Sequence, residues 1–145
     1  MQAQMLQYLR QRIQLQDTSV TLQQLRCLRV VGRGGFGLVK MVQSRSTGVR
    51  YALKCVPKKM IVAQALQKSI VAERSLLAEL DHPFIIKYVK TFRSPTYIYF
   101  LTELCTGGEL FDALDTLGCL NQHQAQFYIG SIVLAMEFLH ARQIG

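Results

Sequence analysis

The sequence predicts an α+β fold, with strands gathered in its first half and helices in its second. Three features point there: period-two alternation with β-branched residues from about 21 to 56, an apolar stripe at helical spacing from about 61 to 80, and a long apolar helix from about 122 to 142. With 145 residues, half of them hydrophobic, the chain is long enough to bury a modest core.

Residues 1–20 read as a flanking segment. They are rich in glutamine, and Leu6, Leu9 and Ile13 fall near helical spacing, so a short amphipathic helix packed on the domain is expected. Next, Leu38-Val39-Lys40-Met41-Val42 and Tyr51-Ala52-Leu53-Lys54-Cys55-Val56 alternate as strands. The turn-like Ser44-Arg45-Ser46-Thr47-Gly48 between them completes a meander of three antiparallel strands. Pro57 closes the third strand, and one helix is expected from about 61 to 80, stopped by Asp81-His82-Pro83. Strands near 86–92 and 97–103 follow, joined at Arg93-Ser94-Pro95.

Thr106-Gly107-Gly108 marks a hinge before a short helix (about 109–117) and the longer one. The latter carries Phe127, Ile129, Ile132, Val133, Leu134, Met136, Phe138 and Leu139 around nearly its whole circumference, with Glu137 its one acid. Such a helix belongs inside a larger core, so packing partners beyond this chain are expected. The division expected is a flanking segment over 1–20, a sheet domain over 21–105, and a hinge with the start of a helical domain over 106–145.

Composition narrows the function. The formal net charge is +8, and between Asp17 and Glu73 ten lysines and arginines occur without a single acid. These cations are dispersed along strands and not clustered with stacking aromatics, which argues against nucleic acid and suits a ligand with several phosphate charges. No apolar run approaches the roughly 18 residues of a membrane span, and the start lacks a signal-peptide core, so a soluble, cytoplasmic protein is expected. Cys27, Cys55, Cys105 and Cys119 form no C-x-x-C pair and have no histidine at ligand spacing; free, mostly buried thiols and no metal site are expected.

The chemistry concentrates in Gly32, Gly34 and Gly37, spaced G-x-G-x-x-G around Gly35 and Phe36. Glycines so spaced let a backbone approach phosphate oxygens. A dinucleotide loop of this spelling opens a helix and is followed some 20 residues later by an acid; here Gly37 leads into a strand and no acid precedes Glu73. A Walker loop needs Lys-Ser or Lys-Thr after its last glycine, and Leu38-Val39 stands there. Lys54 points to the face of its strand opposite Leu53 and Cys55, where an ammonium needs an anion. Leu66, Ile70, Glu73, Leu77 and Leu80 recur at alternating four- and three-residue steps, which sets Glu73 in an apolar stripe and makes it the expected partner of Lys54.

These residues, with Asp81-His82-Pro83-Phe84-Ile85-Ile86-Lys87, Leu101-Thr102-Glu103-Leu104-Cys105 and Gly107-Gly108-Glu109-Leu110, closely resemble the eukaryotic protein kinase fold over about 25–145. Within it, the wording from Leu101 to Ala113 and from Gln124 to Ile132 is most similar to cGMP-dependent protein kinases of alveolate protists. The resemblance implies a five-stranded antiparallel sheet with a large helix, then a hinge and two helices of a helical lobe. It implies ATP binding and, in a complete enzyme, transfer of the γ-phosphoryl with Mg²⁺ to serine or threonine of proteins with basic residues near the acceptor.

Position by position, the resemblance gives Gly32, Gly34, Gly35, Phe36 and Gly37 the triphosphate cover and Lys54 the α- and β-phosphates, held by Glu73. Val39 and Ala52 lie above the adenine and Leu110 below it. The backbone of Glu103 and Cys105 meets its edge, Glu109 the ribose, and Thr102 is a small gatekeeper that opens a back pocket. Tyr88 departs from the smaller apolar residue usual at its place. No Tyr- or His-Arg-Asp loop and no Asp-Phe-Gly occurs in the 145 residues, so no catalytic base and no metal ligand is assigned, and the isolated chain is expected to be inactive. The cGMP-binding modules of that group are not found among these 145 residues either, so this chain itself is not expected to bind cGMP. The alternatives are a non-catalytic kinase-like nucleotide-binding or docking module, and a cAMP-dependent or other related kinase.

Overall fold

The computed structural model of the chain describes Leu6, Arg10, residues 12–34 and residues 36–145. Contacts divide it into two compact units, one running up to Leu80 and resuming over Lys87–Leu104, the other made of Asp81–Ile86 and Cys105–Gly145.

The first unit is built on a five-stranded sheet: β1 (Leu25–Gly34), β2 (Gly37–Ser44), β3 (Arg50–Pro57), β4 (Tyr88–Arg93) and β5 (Tyr97–Glu103). Their order is β1-β2-β3-β5-β4, and every neighbouring pair is antiparallel. The β2–β3 turn closes where Gly48, at φ 73°, donates its amide to the Ser44 carbonyl at 2.9 Å. Only glycine adopts that backbone without strain.

Because residues directly opposite in antiparallel strands share a face, the register sorts the side chains into two sets. Tyr51, Leu53 and Cys55 of β3 lie with Val42 of β2 and Leu101 of β5 on one face, and all five are buried. Val89 joins them, as do Leu15 and Val20 from the segment ahead of the sheet. The largest buried cluster therefore lies on one side of the sheet, closed by residues that precede β1, while Met41 and Val56 are buried on the other face. Burial of Leu15 and Val20 stabilises by roughly 1.5–3 kcal/mol each. The expected apolar stripe of this segment is not the buried one. Residues 12–14 are helical, but Ile13 and Leu6 are exposed, and Leu9 lies outside the described residues.

In place of the single helix expected over about 61–80 there are two, α1 (Lys58–Ala63) and α2 (Gln67–Glu79). The break has a local cause. Ala65 takes a left-handed φ of 51°, its amide donates to Val62 O at 3.2 Å, and the Leu66 amide donates back to Ile61 O at 2.9 Å. This is a Schellman termination with alanine where glycine is usual. Helix α2 buries none of its own residues; Ile70 and Leu77 are half-buried and Leu80, just past its end, is buried.

The second unit holds α3 (Leu110–Leu117) and α4 (Gln122–His140). Gly118, at φ 76°, ends α3 by donating to Leu114 O at 2.8 Å. A capping box starts α4: Asn121 Oδ1 accepts the Gln124 amide at 2.9 Å, and Gln124 Oε1 accepts the Asn121 amide at 3.0 Å. His82 packs on Phe138 with ring centroids 4.8 Å apart, and Phe84 meets Phe127 edge-on at 6.2 Å. Phe127, Ile129, Ile132, Val133, Leu134 and Met136 of α4 are exposed. Among the described residues no helix is long and apolar enough to cross a membrane.

Candidate functional site

The face of the sheet opposite the core carries most of the residues that the sequence singled out. Val39 of β2 stands opposite Lys54 of β3, and Lys54 stands opposite Phe100 of β5. One step along, Ala52 lies between Met41 and Thr102. Gly32 of β1 pairs with Val39 and extends the row to the sheet edge. Strand alternation thus gathers Gly32, Val39, Ala52, Lys54 and Thr102 on one surface, half-buried. Phe100 and Met41 belong to the same surface and were missed; alternation counted back from Thr102 and on from Val39 would have found them.

The β1–β2 turn is closed by the pairing of Gly34 with Gly37. Gly35 lies outside the described residues, and Phe36 is exposed at the turn. The three described glycines answer different needs. None has positive φ, so backbone handedness asks for none of them. A Cβ on Gly37 would stand 2.1 Å from the Cys55 carbonyl oxygen, so packing of β2 on β3 requires glycine there. At Gly32 and Gly34 the nearest atoms would be 4.0 and 3.9 Å away, ordinary van der Waals contact. Among the described residues no neighbouring atom demands glycine at those two positions, and the space above their peptides is open.

Lys54 does not pair with Glu73. No carboxylate of the described residues lies within 4.0 Å of its ammonium, and Glu73 is exposed. The helical stripe holds at Leu66, Ile70, Leu77 and Leu80, all partly or fully buried, but not at Glu73 between them. With Val71 and Leu76 of α2 also exposed, nothing dehydrates the Glu73 carboxylate, and water meets its needs. Lys54 is left as a half-buried cation within a row of apolar side chains.

At the end of β5, Glu103 is fixed on several sides. Its amide donates to Lys87 O at 2.9 Å, and its Oε1 accepts the Lys87 amide at 2.7 Å. The Thr102 hydroxyl donates to the Glu103 carbonyl at 3.2 Å, so this small side chain is tied to the neighbouring peptide. Tyr88 lies opposite Thr102, and its hydroxyl is satisfied by Thr91 Oγ1 at 2.6 Å, which explains how a tyrosine is accommodated there.

In the second unit Cys105 and Glu109 are exposed, Glu109 being the N-cap residue of α3, and Leu110 is half-buried at the first position of that helix. The expectation of mostly buried cysteines fails. Cys55 alone is buried, while Cys27, Cys105 and Cys119 are exposed, because only Cys55 faces the core from a central strand. Among the described residues no group of three His, Cys, Asp or Glu could hold a metal ion.

A family model described as the protein kinase domain matches residues 25–145. The chain is 56% identical over 140 residues to the cGMP-dependent protein kinase of Toxoplasma gondii, covering 97% of this chain and 14% of that protein. Over the same length, and with the same coverage of both chains, it is 57% identical to the cGMP-dependent protein kinase of Eimeria tenella. The human cGMP-dependent protein kinase 2 is 34% identical over 132 residues, 91% of this chain and 17% of that protein.

Proposed function

The chain belongs to the protein kinase family, and from that premise we propose that its sheet unit binds ATP within a serine/threonine kinase of the cGMP-dependent type. The triphosphate would lie under Gly32, Gly34 and Gly37, with Lys54 on the α- and β-phosphates. Val39 and Ala52 would cover the adenine. The peptide edge of Glu103 would read its polar rim, and Thr102 would bound a back pocket. In a complete enzyme of this type the γ-phosphoryl passes to a serine or threonine hydroxyl of a protein segment rich in basic residues, and ADP departs. Such an ATP-dependent activity supports an intracellular setting for the protein.

One observation carries the reading. Lys54 has no carboxylate partner among the described residues, yet it sits half-buried on the face that also holds Val39 and Ala52. A cation so placed favours an anionic ligand, and the room above Gly32 and Gly34 lets phosphate oxygens come close. Mg²⁺, when bound, would neutralise charge on the phosphates. The described residues hold no cluster of ligands for it, so no step is assigned to it on this chain. With no catalytic base among its residues, the 145-residue chain alone is expected to bind nucleotide and not to transfer phosphate.

A thermal-shift titration of the purified chain with ATP, with and without Mg²⁺, tests the reading beside Lys54→Met. The melting temperature of the wild type is expected to rise with ATP concentration, and the rise to shrink in the variant. No rise in a folded wild-type chain, or an equal rise in both proteins, overturns it.

A further inference from the structure

We propose that residues 12–20 form a strap across the core face of the sheet, and that Arg12 is a positioning residue for adenine recognition, acting through Glu103. This role rests on the nucleotide reading above. The strap precedes the residues matched by the kinase family model, which begin at 25.

Its attachments are spread along its length. Leu15 and Val20 enter the core beside Tyr51, Leu53 and Leu101. Lys90 of β4 faces the same side, and its ammonium donates to Thr18 O at 2.9 Å and Val20 O at 3.2 Å, 72 and 70 residues away in sequence. At the leading end, Arg12 Nη2 stands 3.9 Å from Glu103 Oε1, with only 11% and 13% of the two side chains exposed. Charges that dry are weakly screened, so their attraction persists in salt.

The oxygen that Arg12 approaches is the one that accepts the Lys87 amide at 2.7 Å. The Glu103 side chain therefore links the strap to the peptide at the end of β5, whose backbone is the proposed adenine edge. Removal of the guanidinium leaves this half-dry carboxylate without a countercharge on that side, and it relaxes toward water. The Lys87 amide then loses its acceptor, and the Glu103 peptide loses a constraint. Adenine affinity should fall, while phosphate binding, which depends on Gly32, Gly34 and Lys54 farther along the sheet, should not.

The full 145-residue chain carries the test, with wild type, Arg12→Ala, Arg12→Gln and Arg12→Lys. Hydrogen exchange at the Lys87 and Glu103 amides, without nucleotide, reads the strap; titrations with ATP, adenosine and inorganic tripolyphosphate read its consequence. Arg12→Ala and Arg12→Gln are expected to speed exchange at both amides and to weaken ATP and adenosine by about three- to tenfold, the size of coupling between groups in contact. Tripolyphosphate should bind unchanged, and Arg12→Lys should restore most of the loss. Unchanged exchange with unchanged adenosine affinity overturns the proposal, as does an equal loss for adenosine and tripolyphosphate, which would mean general loosening. A wild type that binds none of the three ligands sinks the nucleotide reading and the positioning role together, and exchange then decides whether the strap alone stands. Should Arg12→Ala fail to fold, Arg12→Gln and, at the strap's other anchorage, Lys90→Met give the same readings.

Discussion

Glu103 and Lys87 close a ring on each other: the Lys87 amide donates to Glu103 Oε1 at 2.7 Å, and the Glu103 amide donates to Lys87 O at 2.9 Å. One residue thus uses its backbone and its side chain to tie the end of β5 to the residue preceding β4. Glu103→Gln keeps an acceptor oxygen for the Lys87 amide, whereas Glu103→Leu leaves that amide without one. The leucine variant is expected to lose about 1–3 kcal/mol of stability and the glutamine variant less than about 1 kcal/mol. Urea unfolding of the three proteins measures the difference, and equal losses would mean that the hydrogen bond contributes nothing.

The segment ahead of the sheet separates two apolar residues that the sequence does not distinguish. Leu15 is 5% exposed and Ile13 is 66% exposed. Leu15→Ala is expected to cost about 2–4 kcal/mol by emptying part of the core. Ile13→Ala should stay within about 0.5 kcal/mol. Melting temperatures rank the two, and a larger effect at Ile13 would contradict the packing.

That contrast marks where the sequence was legible. Period-two alternation placed Lys54 on the face opposite Leu53 and Cys55, because the face of a strand residue follows from counting along it; Val39 and Thr102 enter through the family resemblance, and the strand register sets them on that same surface. Counting failed where burial depends on what lies across from a residue. Glu73 kept its helical spacing yet stayed exposed, since nothing packs over α2 there. Leu15 was invisible as a core residue because its neighbours across the sheet, Tyr51 and Leu101, lie far away in sequence. The helix break at Ala65 escaped for a different reason: alanine is a strong helix former, and its left-handed φ of 51° is imposed by hydrogen bonds from Ala65 and Leu66 back to Val62 and Ile61.

Glycine at 34 and glycine at 37 should respond oppositely to a methyl group. A Cβ at 37 would stand 2.1 Å from Cys55 O, so Gly37→Ala must push β2 from β3 and is expected to cost roughly 1–3 kcal/mol or more. At 34 the nearest atom would be 3.9 Å away, and Gly34→Ala should leave stability within about 0.5 kcal/mol. If phosphate oxygens approach that peptide, ATP affinity nevertheless falls in Gly34→Ala. Paired melting and ATP titrations check both halves; a stable Gly34→Ala chain with undiminished ATP affinity would remove Gly34 from the phosphate site.

Cys55 supplies the pH dependence. Burial pushes its thiol above the ordinary value, outweighing the opposing pull of Lys40, and burial likewise raises the Tyr51 hydroxyl, on the same face, with Asp17 adding to the effect. The folded chain therefore holds these protons more tightly than the unfolded chain does. Their contribution to stability is complete below the unfolded values, about 8.5 for cysteine and about 10 for tyrosine, and is lost as pH climbs from there toward the raised folded values. The melting temperature is expected to drop on that alkaline side, starting near the cysteine value, and Cys55→Ala should flatten the first part of the drop. Thiol labelling near neutral pH gives an independent check. Iodoacetamide should modify the exposed Cys27, Cys105 and Cys119 and spare Cys55 until the chain unfolds. Labelling of Cys55 at the rate of Cys27 in the folded protein would mean that the core face beneath the strap is open to solvent.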